Sequence, residues 1–533
     1  MARVMVADTL SQEGIDLLRE RHDVEVQTGL SEDDLVAAVA DVEGLVVRSQ
    51  TRVTRRVIAA APRLRVIGRA GVGVDNIDVD AATEHGVTVV NAPLANTIST
   101  AEHTMAMMLA VARNIPQGHA SLKEGRWERS KLMGIELKGR TLGIVGLGRI
   151  GSEVARRARA FEMRLLAFDP FVSNERAATL GVEMMDLDAL LEHSDFVTLH
   201  TTLTDANRGM MGAPQFARMK PTARLVNCAR GALVDEQALF EAVESGQIAG
   251  AAIDVFSSEP AVGNVLTTSP RIVVTPHLAA STEEAQFTAA IDTAQQVIDV
   301  LDGRPGRFAV NAPLVDPETM TVIGPYIDAA ELAANVARQL AGGRLERAYI
   351  EYHGPIGTRE VGPLRAAAII GLLRGVTEER LSIVNAERVA EQHGIRIDEE
   401  TGPAAEPYTN LIRVTVHATD GGDHAVRVAA THTPQGVRAV AIDDFEGVEI
   451  SPRSAPYALA VENVDRPGMV GMVGTMLGQW DVNVNYMSVS ASTSENRALM
   501  VLGIGRPLTE DEMAAVRAHE AIFSAQQLDL TAG

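Results

Sequence analysis

Short apolar runs recur through the first hundred residues, at Val4–Ala7, Val24–Gln27, Gly44–Val47, Val66–Gly68 and Val87–Val90. Between them lie stretches of helical period such as Ser11–Arg21 and Ser31–Val39. Strands apolar on both faces, alternating with amphipathic helices, predict a parallel sheet in an α/β unit. Ser99-Thr100-Ala101-Glu102 reads as a capping box ahead of an apolar helix that Pro116 closes, and it marks the first boundary. The alternation then resumes with strands expected at Thr141–Val145, Leu165–Asp169, Phe196–His200, Arg224–Asn227, Gly250–Val255 and Ile272–Thr275. A second capping box, Ser281-Thr282-Glu283-Glu284, opens a long helix that stops at Gly303 and Pro305. Beyond about residue 320 the strands Leu411–Val416, Ala425–Ala430, Val437–Ile442 and Gly447–Ile450 follow one another without helices, which predicts a separate α+β domain. From about residue 453 the order is strand, helix, strand, strand, helix, strand, a split βαβ arrangement.

With 533 residues the chain has room for three or four domains. The pattern divides it into 1–98, 99–284, 285–318, 319–452 and 453–533, with 285–318 returning to the first lobe. Lysine and arginine number 48 against 70 acidic residues, a formal charge of −22 that argues against nucleic acid or anionic membrane as a partner. No apolar run reaches the roughly 18 residues of a membrane span. The single cysteine, Cys228, excludes an intrachain disulfide framework and a cysteine-based metal cluster and suits a reducing compartment. The first residues read as a strand rather than a leader, so a cytoplasmic location is expected and no metal is called for.

Gly146-Leu147-Gly148-Arg149-Ile150-Gly151 falls between a strand and a helix. In that context Gly146 permits a tight turn, Gly148 lets backbone approach a pyrophosphate, and Gly151 allows close helix–strand packing. Asp169 ends the next strand about twenty residues on, where an acid binds ribose hydroxyls and repels a 2′-phosphate, so NAD is expected over NADP. Three polar residues follow later strands of the same lobe: Arg230, Glu259 and His277. Oxidising an alcohol with NAD needs a base for the hydroxyl proton and a cation for a neighbouring carboxylate. Histidine supplies the first, a carboxylate fixes its tautomer, and the arginine fork supplies the second.

The runs Gly68–Asp78, Gly143–Gly151, Asn227–Gly231, Asp254–Pro260 and Pro276–Thr282 resemble the D-2-hydroxyacid dehydrogenase family, in its long, phosphoglycerate-oxidising branch. The resemblance spans essentially the whole chain. It implies a Rossmann-type nucleotide lobe inserted in a flavodoxin-like substrate lobe, then an α+β intervening domain and a ferredoxin-like ACT domain. It implies NAD-dependent oxidation of 3-phospho-D-glycerate to 3-phosphohydroxypyruvate, the first step of phosphorylated serine biosynthesis. Arg230, Glu259 and His277 become the catalytic set. Gly146, Gly148, Arg149, Ile150, Gly151, Asp169, Cys228, Arg230, Asp254 and His277 become cofactor contacts. Arg48, Arg69, Asn96, Arg129 and Lys131 join Arg230 and His277 around the substrate. The two other readings are a dehydrogenase for an unphosphorylated 2-hydroxy acid such as glycerate, and an NAD-sensing binding protein. The resemblance further implies a homodimer or homotetramer, and L-serine as an effector at Asn463, Asp465 and Asn483 beside a helix entered through Pro467. Relatives more often carry other residues at Asn463 and Asp481.

Overall fold

Four sheets organise the chain, seen in a computed structural model that describes residues 1–531 apart from 314, 378, 420–423 and 493–494. The first contains β1 (Arg3–Val6), β2 (Asp23–Val26), β3 (Gly44–Val47), β4 (Val66–Arg69) and β5 (Thr88–Asn91), all parallel in the order β2-β1-β3-β4-β5. That is the flavodoxin-like order. The helix Glu283–Leu301 returns to this lobe. Its Ala294, Val297, Ile298 and Leu301 share one core with Val4, Val46, Val66 and Val90. The segment after 285 therefore completes the first sheet's cover.

The second sheet has seven parallel strands: β6 (Thr141–Val145), β7 (Arg164–Phe168), β8 (Glu183–Met184), β9 (Phe196–Leu199), β10 (Arg224–Asn227), β11 (Gly250–Ile253) and β12 (Ile272–Val274). Their order, β12-β11-β10-β9-β6-β7-β8, reverses direction between β6 and β9, the switch point where doubly wound sheets bind ligands. Met105, Met107 and Met108 of the helix Thr97–Arg113 pack on it with Leu142, Val226 and Ala252.

Two helix-start expectations need correcting. The helix Thr97–Arg113 begins after Asn96, so Ser99 lies inside it and turns its hydroxyl back to the Asn96 carbonyl at 3.2 Å. Left-handed Asn114 ends that helix, and Pro116 opens the next, Ile115–Lys123, where its missing N–H costs nothing. The second long helix is capped by Thr282, whose hydroxyl accepts the Ala285 N–H at 3.2 Å.

The third sheet is mixed: β13 (Leu345–His353), β14 (Arg396–Gly402), β15 (Leu411–Ala418), β16 (His424–Thr433), β17 (Gly436–Ile442) and β18 (Phe445–Ile450), ordered β14-β13-β15-β16-β17-β18. Only β13 and β14 pair in parallel. Helices Ile327–Ala341 and Gly362–Leu373 cover one face. This part carries more helix than its late run of strands suggests. The fourth sheet is β19 (Tyr457–Val464), β20 (Val484–Ala491), β21 (Arg497–Ile504) and β22 (Ile522–Asp529), antiparallel in the order β20-β21-β19-β22, with helices Met469–Gln479 and Glu510–Arg517. Ala458, Ala460, Val501 and Leu528 of this sheet join the core of the third, so the two units close on each other.

Candidate active site

The glycine loop follows β6. Gly146 has φ +95°, and a side chain there would press on the His200 backbone at 2.8 Å. A side chain on Gly151 would stand 2.1 Å from the Gly146 carbonyl oxygen, so the helix Arg149–Ala160 packs against its strand only because position 151 has none. Gly148, the helix N-cap, faces open space, which leaves its backbone accessible to a phosphate. Asp169, just past β7, accepts the Leu147 N–H at 2.8 Å and the Phe171 N–H at 2.9 Å, tying the acid to the glycine loop. Arg149 is exposed and donates to the Pro93 carbonyl of the first lobe at 3.1 Å, while Ile150 lies half-buried beside it. At the end of β9, His200 Nδ1 and Thr201 Oγ1 are shut from solvent without a partner among the described residues. Burial pulls the His200 ring down to about 3, so it stays neutral. An open glycine turn flanked by unanswered polar atoms fits a bound dinucleotide.

Arg230, Glu259 and His277 follow β10, β11 and β12, three neighbouring strands. His277 Nδ1 and Glu259 Oε2 are 2.8 Å apart, leaving Nε2 free. Glu259 Oε1 also accepts the Phe256 N–H at 3.1 Å. Burial is the largest single influence on Glu259 and pushes it up, but the hydrogen bonds from His277 and Phe256 and the nearby positive charge together hold it below its usual range. His277 has φ +55°, a left-handed conformation that costs a non-glycine residue about 1–3 kcal/mol. Asp254 supplies the counterweight. Its carbonyl accepts the His277 N–H at 2.8 Å, and its carboxylate accepts the N–H groups of Leu278 and Ala279 at 2.8 and 3.0 Å and the Thr275 hydroxyl at 2.6 Å.

Asp254 is itself fully buried, with His103 Nε2 3.1 Å from Oδ1. Ligand atoms of His103, Cys228 and Asp254 all lie within 4.8 Å of one another. The Asp254 oxygens are already engaged, and burial together with the Asp254 charge pushes the Cys228 thiol up to about 12. The trio is thus a hydrogen-bonded support under the His277 loop, and Cys228 and Asp254 sit behind the surface rather than on it.

The cations come from both lobes. Arg69 ends β4 with its Nε buried and unpartnered among the described residues. Burial, then repulsion from Arg230, pulls it down to about 10, with Arg48 adding to the repulsion and Asp75 and Asp8 opposing it. Arg48 follows β3, its N–H held by Asp8 at 2.5 Å and its side chain by the Thr9 carbonyl at 3.2 Å. Arg230 Nε lies 3.4 Å from Asp75, and a side chain on Gly73 would stand 2.1 Å from its guanidinium, so the first-lobe loop Gly71–Asn76 meets Arg230 across the cleft. Asn76 fixes that loop through the carbonyls of Arg48 and Thr51 at 2.7 and 2.6 Å. Asn96 stands at the N-cap position of the helix at the lobe junction, its Oδ1 buried and unpartnered among the described residues. Arg129 and Lys131 stand apart on an exposed arm, with Lys131 bound to Glu128 at 2.9 Å. Sequence reasoning missed Asp8, Asp75, His200 and Thr201; a polar residue within two positions of a buried strand's end was the available signal for all but Asp75, which lies in the loop beyond β4.

In the fourth unit Asn463 is 2% exposed, with Nδ2 donating to the Val464 carbonyl at 2.8 Å and Oδ1 buried without a partner among the described residues. Asp465 and Asn483 are exposed, and Asn483 Nδ2 bonds Asn485 at 2.8 Å. Gly468 at φ +96° caps the helix, so Pro467 precedes the cap instead of forming the first turn.

Residues 105–279 match the D-isomer specific 2-hydroxyacid dehydrogenase, NAD binding domain, and residues 322–442 the D-3-phosphoglycerate dehydrogenase intervening domain. The chain is 42% identical to a D-3-phosphoglycerate dehydrogenase of Synechocystis over 97% of this chain and 92% of that one. With the D-3-phosphoglycerate dehydrogenase of Archaeoglobus fulgidus it shares 41% identity over 99% and 100%. Among solved structures, the TT0316 protein of Thermus thermophilus matches at 37% identity and TM-score 0.54, over 58% of this chain and 99% of that one. Apo D-lactate dehydrogenase of Escherichia coli matches at 30% identity and TM-score 0.52, over 58% and 99%.

Proposed function

The chain belongs to the D-3-phosphoglycerate dehydrogenase family, and we propose that it oxidises 3-phospho-D-glycerate to 3-phosphohydroxypyruvate with NAD, opening the phosphorylated route to L-serine. The observation that carries the chemistry is the His277–Glu259 pair, set on the strands that follow the dinucleotide loop and facing a cleft with Arg48, Arg69 and Arg230. NAD, when bound, supplies the hydride acceptor. His277 Nε2 takes the hydroxyl proton while Glu259 offsets the charge that develops on the ring. Arg230 holds the substrate carboxylate and the nascent carbonyl, and the neighbouring first-lobe arginines receive the phosphate. Gly146, Gly148, Arg149, Ile150 and Gly151 seat the pyrophosphate side, and Asp169 the ribose. Cys228 and Asp254 support the nicotinamide end from beneath, and Asn96 lies at the junction of the lobes.

The catalytic lobes are assigned to 1–98 with 285–318 and to 99–284, the intervening domain to 319–452 and an ACT domain to 453–533. The chain works as a homodimer or homotetramer. Exposed Ile115, Leu122, Trp127 and Met133 on the arm that bears Arg129 and Lys131 support that reading. L-serine binds near Asn463, Asp465 and Asn483, supported by the unpartnered Asn463 Oδ1 and the free N-terminus of the helix Met469–Gln479. No helix among the described residues is long and apolar enough to cross a membrane. One buried free cysteine accords with the reducing cytoplasm.

The test is NADH consumption with 3-phosphohydroxypyruvate beside hydroxypyruvate, with and without L-serine. Preference for the phosphorylated ketone is expected. Equal use of both moves the protein to unphosphorylated 2-hydroxy acids, and insensitivity to serine removes the effector assignment.

A further inference from the structure

A cavity of about 290 Å³ lies at the amino-terminal edge of the first sheet, the edge opposite the catalytic cleft, where the substrate lobe meets the intervening domain. Arg65 and Thr88, at the starts of β4 and β5, form one wall, residues 303–307 with Ala309, Ala312, Pro313 and Val315 of the connecting segment a second, and Ile370 with residues 380–383 a third. Its volume is near the lower end of small-molecule sites.

The lining has two characters. Val300, Ala309, Val315, Met320, Ile370 and Leu381 give it an apolar body. Around that body stand Arg65, Arg304, Arg307 and Arg380, and no Asp or Glu among the described residues lines it. Arg304 is paired with Asp299 and Asp302 at 2.7 and 3.3 Å. The other three have no carboxylate partner among the described residues. Arg65 donates to the carbonyls of Leu301 and Val300 at 2.9 and 3.3 Å, and Arg380 to that of Leu64 at 2.6 Å. Arg307 rests on the Phe308 ring at 4.9 Å. Four arginines, only one of them ion-paired among the described residues, are an unusual gathering in a chain of net charge −22. Burial, with Arg65 repulsion adding to it and Glu43 opposing, lowers Arg380. The wall is also rigid: Gly86 at φ +67° leaves only 2.9 Å between a Cβ and the Arg380 carbonyl oxygen, and Asn385 Nδ2 holds that carbonyl at 2.8 Å.

We propose that this interdomain cavity is a binding site for a small organic carboxylate with a compact apolar body. The carboxylate meets the arginine forks, which match it geometrically, and the apolar body fills the space against Met320 and Ile370. Because the walls belong to the substrate lobe, the connecting segment and the intervening domain, such a ligand stabilises the arrangement in which they are docked, to the extent that it binds that arrangement better than any other.

Calorimetric titration of the full-length protein tests this with 4-methylpentanoate, its uncharged amide and inorganic phosphate as probes. The carboxylate should bind at least tenfold more tightly than either alternative. Arg307→Gln combined with Arg380→Gln should weaken it at least tenfold, and Ile370→Trp, which fills the space, should abolish binding. NADH-linked turnover retained in these variants shows that they are folded. A second filling variant, Ala312→Leu, on the connecting segment, covers a failure of Ile370→Trp to fold. Absence of carboxylate binding by the parent protein overturns the proposal. So does binding that is unchanged in the variants, or phosphate and carboxylate binding equally, which would make the site a bare cationic patch.

Discussion

Arg69→Met separates what the substrate site does for binding from what it costs the fold. Arg69 is held at about 10 against its usual 12.5, which at about 1.4 kcal/mol per pH unit is a folded-state penalty on the order of 3 kcal/mol. The direction is clear: the folded protein carries the whole penalty at neutral pH, and it fades only as the pH rises from about 10 towards 12.5. Methionine keeps an apolar stem and removes the buried charge with its unpartnered Nε. The substrate-free protein should gain roughly 1–3 kcal/mol, raising the Tm of the catalytic unit by about 2–4 °C per kcal/mol. Catalysis should move the other way. Losing charge-assisted bonds to a substrate anion, about 3 kcal/mol, lowers kcat/KM for 3-phosphohydroxypyruvate on the order of 10²-fold, chiefly through KM. Urea unfolding of the substrate-free protein and steady-state reduction at saturating NADH read the two effects. A variant less stable than the parent refutes the stored cost of burial and repulsion, and unchanged kcat/KM removes Arg69 from the substrate site.

His277→Ala should abolish turnover yet leave NADH binding, followed by fluorescence titration, within about threefold of the parent; near-normal turnover removes His277 as the base. Glu259→Gln keeps an acceptor for His277 Nδ1 but discards the charge, so kcat should fall about tenfold or more with little change in KM. Because Glu259 is held below its usual 4.5, its contribution to stability is present above that pH and is lost as the pH falls through its lower folded value; the parent should lose stability there faster than Glu259→Gln. Asp169→Ala should weaken NADH binding about tenfold while NADPH binding holds or improves, and an unchanged ratio of the two removes its ribose role.

The catalytic lobes were legible because their information is local. A strand buried on both faces leaves a continuous apolar run, and a glycine turn whose φ is +95° leaves its signature in the residue itself. Helix starts were less legible because a cap is a competition among neighbours. Ser99 has the right chemistry, but by starting after Asn96 the helix gains three residues, nearly a full turn. The third unit was the least legible. Ala329, Ala330, Ala333, Ala334 and Ala337 make a helix of small residues that sits close under a sheet, and alanine carries too little hydrophobic contrast to declare its period. Strand β14, Arg396–Gly402, is an edge strand rich in charge, and only its parallel pairing with β13 makes it a strand at all.

The site follows the same division, and it explains which functional residues escaped. Arg230, Glu259 and His277 are visible because each is a chemically distinctive residue just past a predicted strand. Asp254 was visible too, but as a cofactor contact, because its place after β11 says nothing about which way the carboxylate turns. Turned inward, it accepts three donors from the 275–279 loop and offsets the left-handed backbone of His277. That inward turn depends on Thr97–Arg113, the helix that brings His103 to Asp254, and so on a helix more than a hundred residues away in sequence. The Asp75–Arg230 approach likewise exists only when the two lobes face each other. Residues that do chemistry can be read from type and position along one strand, whereas residues that hold them in place are defined by what crosses over from elsewhere. A chain of this kind therefore reveals its reaction sooner than it reveals the supports on which the rate depends.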